Sequence, residues 1–275
     1  MVTIVGEKIN TSSATVRNAV EQRDAQFIQG LALAQAKKGA DVIDVNVGLR
    51  PELEPDAMRW AVKLVQDVVD LPLAVDSPNP ATLLAGLQVC REPQRSWANS
   101  ITVEQPRIDR VLPLVVEYGC RLVGLCMDEH GVPRTSAERL QLAQRLVDEV
   151  CRWGISLDRL YVDVLVEPIS VEPRAALVSL ETVTAVRAAL PGVQMIISLS
   201  AISFGLPGRH LLNRSFLPLL LHAGINVIIL DPLDVSTMAA VKATQALLGA
   251  DPHGLDFISA YRSGLLSRSR RKETP

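Results

Sequence analysis

The sequence predicts a single (β/α)₈ barrel, a TIM barrel of the α/β class, on three observations. Eight short apolar runs alternate with longer segments of helical period, the 275 residues suit one such domain, and the apolar content is aliphatic. Hydrophobic residues make up 48% and aromatics only 4%, so the core is built from Leu, Val, Ile and Ala, the side chains that barrel interiors favour.

The runs that read as strands are residues 2–5, 42–47, 73–75, 98–101, 122–127, 160–165, 195–199 and 227–230. The fourth, Ala98-Asn99-Ser100-Ile101, is short and polar for a strand. Between them lie helical segments. Apolar side chains at 57, 58, 61, 62, 64, 65, 68 and 69 make a wide stripe over residues 57–69. Residues 136–153 follow Thr135 and Ser136, either of which can cap a helix. Residues 180–190 stop at Pro191-Gly192. Gly39, Gly119, Gly154 and Gly224 each stand just before a strand, where a left-handed C-cap is needed.

Pro and Gly clusters at residues 50–55, 78–80, 168–173 and 205–208 fall where βα loops belong, and none reads as an interdomain linker. The expectation is one barrel over residues 1–265, followed by a basic, disordered tail at 266–275 that carries Arg268, Arg270, Arg271 and Lys272. An open doubly wound sheet is disfavoured because no G-x-G-x-x-G turn follows the first strand. A formal net charge of −2 argues against nucleic acid as a partner. No apolar stretch reaches the roughly 18 residues of a membrane span, and the N-terminus has no signal-peptide pattern, so the expected location is cytoplasmic. Cys90, Cys120, Cys126 and Cys151 form no C-x-x-C pair, which fits reduced thiols rather than a disulfide framework.

Barrel chemistry sits at the C-terminal strand ends. Those ends read Glu7, Asn10, Asp44, Asn46, Asp76, Asn99, Asp128, Asp163, Ser198, Ser200 and Asp231. Each alone is a common turn or cap residue. As a set they point to a ligand, because several sit inside apolar runs where an unpartnered carboxylate is costly. No metal site is expected, since His130, His210, His222 and His253 all fall away from strand ends. Asp accepts two N–H bonds and Asn both donates and accepts, a combination that suits the edge of a pterin or a guanine. Two other loci carry less. Residues 126–130 look chemically rich but fit a strand end turning at Gly131, and the loop 205–208 lacks the Lys of a phosphate-binding loop.

Gly6-Glu7-Lys8-Ile9-Asn10, Asp44-Val45-Asn46-Val47-Gly48, Asp76-Ser77, Asn99-Ser100 and Asp163 follow one another in the order seen in pterin-binding barrels. With residues 198–207, Arg209, Leu212-Asn213-Arg214 and Phe216-Leu217, essentially the whole chain resembles the methyltetrahydrofolate:corrinoid protein methyltransferases, relatives of the folate domain of cobalamin-dependent methionine synthase. The resemblance implies that Asp76, Asn99 and Asp163 bind the pterin ring, with Asn46 beside them and Arg209 in a loop near the substrate or partner. It implies a substrate, methyltetrahydrofolate or tetrahydrofolate, and a cobalamin carried by a corrinoid protein partner. It also implies a homodimer.

The family places an Asn after the seventh strand to hydrogen-bond N5, and here that place is Ala201. Losing one donor aimed at developing charge costs about 10²–10³ in rate. Ser200, Ser203 or a water are the expected stand-ins, together with a substrate that is a different methylated or unmethylated pterin and does not need this bond. Two alternatives are a dihydropteroate synthase-like enzyme and a folate-binding protein with little turnover. The first family would carry Thr-Pro-Asp-Ser-Phe after the first strand, where this chain has Thr11-Ser12-Ser13. It would also carry a Gly-Gly-rich loop after the second, in place of Val47-Gly48-Leu49-Arg50.

Overall fold

Eight parallel strands close into a barrel in chain order, each paired with the next and the last with the first. The computed structural model describes residues 1–266, so the basic run from Arg268 to Lys272 lies outside the described residues. The strands are β1 (Thr3–Asn10), β2 (Val42–Asn46), β3 (Leu73–Asp76), β4 (Trp97–Ile101), β5 (Arg121–Leu125), β6 (Leu160–Asp163), β7 (Gln194–Ser198) and β8 (Val227–Leu230). The helices are α1 (Ala14–Glu21), α2 (Ala25–Lys37), α3 (Glu54–Gln66), α4 (Pro80–Leu87), α5 (Gln105–Tyr118), α6 (Ser136–Arg152), α7 (Ala175–Ala189), α8 (Arg209–Ala223), α9 (Val235–Leu247) and α10 (Leu255–Arg262).

All eight expected strands are present. The main difference is β1, which runs on through Gly6, Glu7 and Lys8 to Asn10 with a register irregularity between Gly6 and Ile9. β5 stops at Leu125, so Asp128 is not a strand end. It sits in a tight turn bridged to Gly131, where Oδ1 accepts from the His130 amide and the carboxylate meets Arg145 at 3.8 Å. The cap of α6 is Thr135, whose Oγ1 accepts from the Glu138 amide while Glu138 accepts from the Thr135 amide. Gly119 and Gly224 both close their helices in the left-handed region, at φ 64° and 117°. At Gly224 a Cβ would also lie 2.7 Å from the Arg187 guanidinium.

Two apolar groups fill the fold. The larger packs the outer strand faces against the helices. The smaller takes Val5, Val42, Ala74, Trp97, Val123, Tyr161, Ile196, Val227 and Ile229 from the eight strands, and it is the barrel interior. There Trp97 and Tyr161 stack with ring centroids 4.2 Å apart.

Candidate functional site

Side chains alternate along a strand, so the residue two beyond each interior member also faces inward. Two steps from Val5, Val42, Ala74, Trp97, Val123, Tyr161, Ile196 and Ile229 stand Glu7, Asp44, Asp76, Asn99, Leu125, Asp163, Ser198 and Asp231. One residue from each strand, or just past it in the case of β8, thus makes a layer at the C-terminal mouth, and only β5 contributes an apolar one. Asn46, two beyond Asp44, extends the layer outward.

The layer is cross-linked. Asn46 Nδ2 donates to Asp76 Oδ2 at 2.9 Å, and Asn99 Nδ2 donates to Asp44 Oδ1 at 3.1 Å. Asp163 Oδ1 accepts from the Leu165 amide at 2.8 Å. Asn46 is itself held, its Oδ1 accepting from Thr11 Oγ1 and from the Gly48 amide. After these bonds four oxygens of Asp44, Asp76, Asn99 and Asp163 have no donor among the described residues: Asp44 Oδ2, Asp76 Oδ1, Asn99 Oδ1 and Asp163 Oδ2.

The carboxyls feel their surroundings. Burial pushes Asp163 up to about 7, against the Leu165 amide and the Arg139 guanidinium, which pull the other way. Burial pushes Asp76 up to about 6, with the Asn46 bond opposing and Glu54 adding. Asp44 lies well above the usual carboxylate range because it is buried and faces Asp76. Glu7 is raised, chiefly by burial, despite a hydrogen bond from Ser200.

On the β7–β8–β1 side the mouth opens into a cleft of about 750 Å³ that Glu7, Ser198, Ser200, Phe204, Arg209 and Asp231 help to line. Ser200 Oγ donates to Glu7 Oε2 at 3.1 Å. Arg209 binds the loop after β7, giving Nη2 to the Ser200 carbonyl at 2.7 Å and Nε to Ser203 Oγ at 3.1 Å. Ser203 is fully buried and its hydroxyl turns to the Ser200 carbonyl. Ala201 is half-buried against the outer core. Asp76, Asn99 and Asp163 do not line this cleft; β3 and β4 bring the first two from the far side of the barrel, while β6, which carries Asp163, pairs directly with β7. Among the described residues no cluster of three or more His, Cys, Asp or Glu is arranged to hold a metal ion, and no helix is long and apolar enough to cross a membrane.

Three supporting residues gave no sequence signal. Glu54, buried in α3, accepts from Ser77 Oγ at 2.7 Å. Arg107 donates to the carbonyls of Pro78 and Ser100, tying the loop after β3 to β4. Arg139, 1% exposed, donates to the carbonyls of Pro133, Val164 and Leu165 and fixes the loop that carries the Asp163–Leu165 bond. Arg139→Met keeps most of that volume but orphans these carbonyls, so it is expected to lower stability by about 3 kcal/mol, read as a fall in the urea midpoint.

A family model described as pterin binding enzyme matches residues 6–231. The chain belongs to the pterin binding enzyme family. Within it, the chain is 34% identical over 271 residues to the methylcorrinoid:tetrahydrofolate methyltransferase of Eubacterium limosum, covering 98% of this chain and 99% of that protein. It is 27% identical to the methionine synthase of Mycobacterium tuberculosis over 91% of its own length but only 22% of that protein's. Among solved members of the fold, it superposes on Yersinia pestis dihydropteroate synthase with a pterine-sulfa conjugate at TM-score 0.67, 15% identity, covering 89% of this chain and 94% of that one. The Xanthomonas albilineans dihydropteroate synthase in complex with 7,8-dihydropteroate gives 0.63 at 17% identity, with 91% and 93% covered. These two likenesses show the fold alone.

Proposed function

We propose that this pterin binding enzyme is a methyltransferase that moves a methyl group between N5 of methyltetrahydrofolate and the cobalt of a corrinoid protein. The observation that carries the reading is that Asp76 Oδ1, Asn99 Oδ1 and Asp163 Oδ2 are among the unclaimed oxygens in a closed barrel's mouth. They offer acceptors to the N–H groups of a pterin edge, with Asn46 bracing Asp76. The likeness to the Eubacterium limosum enzyme over both full lengths supports methyl transfer as the reaction and tetrahydrofolate as the acceptor. The corrinoid arrives as a substrate on a separate cytoplasmic partner, and the barrel itself holds no metal. The enzyme works as a homodimer, a reading supported by the exposed apolar side chains Leu247, Leu255, Ile258 and Tyr261 on α9 and α10.

Two measurements test this. Equilibrium titration with tetrahydrofolate and methyltetrahydrofolate is expected to show binding. Single-turnover mixing of the methyltetrahydrofolate complex with a cob(I)alamin-loaded corrinoid protein is expected to form methylcob(III)alamin. Binding without any methyl transfer would leave a folate-binding protein. Condensation of a pterin pyrophosphate with 4-aminobenzoate would make it a dihydropteroate synthase, a reading that has only fold similarity behind it.

A further inference from the structure

Methylation of tetrahydrofolate poses a proton problem. N5 is a secondary amine, so once it has taken a methyl group it carries one proton too many. In the reading above Asp76, Asn99 and Asp163 accept from the N–H groups of the ring edge, and the Ala201 side chain offers no polar group. Next to Ala201, however, Ser200 Oγ commits its own hydrogen to Glu7 Oε2 at 3.1 Å. Its lone pairs are then left as acceptors. Both residues line the cleft at the mouth, and Glu7 is the inward-facing member that β1 gives to the layer. Ser203, the other hydroxyl of this turn, is buried under Arg209 and faces away.

We propose that Ser200 and Glu7 form a relay that removes the N5 proton as the methyl group arrives, an inference that rests on the methyltransferase reading above. The N5 lone pair forms the C–N bond, and the cobalt–carbon bond of the methylated corrinoid breaks with its electron pair going to cobalt. The N5 proton passes to Ser200 Oγ while the Ser200 proton passes to Glu7 Oε2, which ends as a neutral carboxylic acid. Charge and atoms balance, and the reverse reaction returns the proton by the same route. Ser200 touches the substrate and Glu7 acts through it.

The groups around Glu7 suit this task. Asp231, just past β8, disfavours its charge, while Lys8 from β1 and Arg209 from α8 favour it; Glu7 in turn raises the Asp44 carboxyl of β2, and Lys8 is largely spent on Asp231 at 3.1 Å. Burial leads these effects and raises the carboxyl above its ordinary value, which makes it a stronger proton acceptor than a solvated glutamate.

The test uses the full chain, saturating tetrahydrofolate and free methylcob(III)alamin, following cob(I)alamin formation in single turnovers from about pH 4.5 to about pH 9. The wild-type rate is expected to rise with pH and level off as Glu7 ionises. Glu7→Gln is expected to be about 100-fold slower and to lose the rising limb, while Glu7→Asp keeps a limb with a displaced midpoint. Ser200→Ala is expected to slow by a similar factor, with tetrahydrofolate affinity in all variants within about 2-fold of wild type, which also checks folding. A Glu7→Gln variant at the wild-type rate, or a slowed one with the same pH limb, overturns the relay and leaves the methyltransferase intact. A wild type that binds tetrahydrofolate and forms no cob(I)alamin overturns both.

Discussion

Asp163→Asn is expected to weaken pterin binding by at least about 100-fold, or about 2.7 kcal/mol, while making the ligand-free protein more stable at pH 8. The substitution is nearly isosteric. Its Oδ1 still accepts from the Leu165 amide, so the loop stays in place, but the unclaimed acceptor becomes an N–H₂ donor facing the N–H donors of the pterin. Isothermal titration with tetrahydrofolate at pH 8 reads the loss. An unchanged affinity would move the pterin elsewhere.

The stability gain follows from the raised carboxyl. Asp163 ionises at about 7 in the fold, far above its unfolded value. What it contributes is therefore fully present below that unfolded value and is lost as pH rises through about 7. At pH 8 the fold bears a buried charge that asparagine does not have, a cost on the order of 3 kcal/mol. Thermal melts of the free protein are expected to show a wild type that loses stability between pH 5 and pH 8 and a variant with a flatter profile. Ligand binding carries the mirror-image dependence in the wild type, because the pterin N–H groups need the ionised form.

Ala201→Asn is expected to return on the order of 10² of the rate that Glu7→Gln removes, with a smaller gain in the wild-type background. An amide at this turn supplies a hydrogen bond to N5 from the neighbouring residue, so the two routes substitute for one another and their effects do not add. The equilibrium of the reaction is untouched, so kcat/KM must change by the same factor in both directions. Assays with methyltetrahydrofolate plus cob(I)alamin and with tetrahydrofolate plus methylcob(III)alamin check that equality. A variant slower in both would mean that Ala201 makes room for a substrate other than methyltetrahydrofolate.

Much of this molecule is legible in its sequence because a barrel repeats one unit eight times. The apolar runs locate every strand, and polar residues that interrupt those runs make up most of the inward-facing layer at the mouth. The same interruption explains what is harder to read. β1 looks finished at Val5 because Gly6, Glu7 and Lys8 break its hydrophobicity, yet the backbone goes on pairing to Asn10 and turns Glu7 inward. β5 looks longer than it is because Cys126 and Met127 are apolar, and the strand in fact ends at Leu125, which leaves Asp128 to shape a turn. Glu54, Arg107 and Arg139 hold carbonyls and hydroxyls that lie far from them along the chain or in other elements. No local pattern marks such a residue, since its reason for being there exists only after folding. The Asp163 pair of effects is similar: its position is visible in the run Tyr161-Val162-Asp163-Val164, but its altered acidity comes from burial that only the closed barrel provides.

The stacked rings of Trp97 and Tyr161 have a consequence for the order of events. They and their aliphatic neighbours plug the barrel beneath the polar layer, so the mouth is a dead end with one door. For the reaction proposed here, a corrinoid protein large enough to bring cobalt to N5 must stand in that same door. The folate has to enter first and leave last. Steady-state kinetics should therefore be sequential and ordered, with the free corrinoid protein unable to chase a bound folate out, only to lock it in.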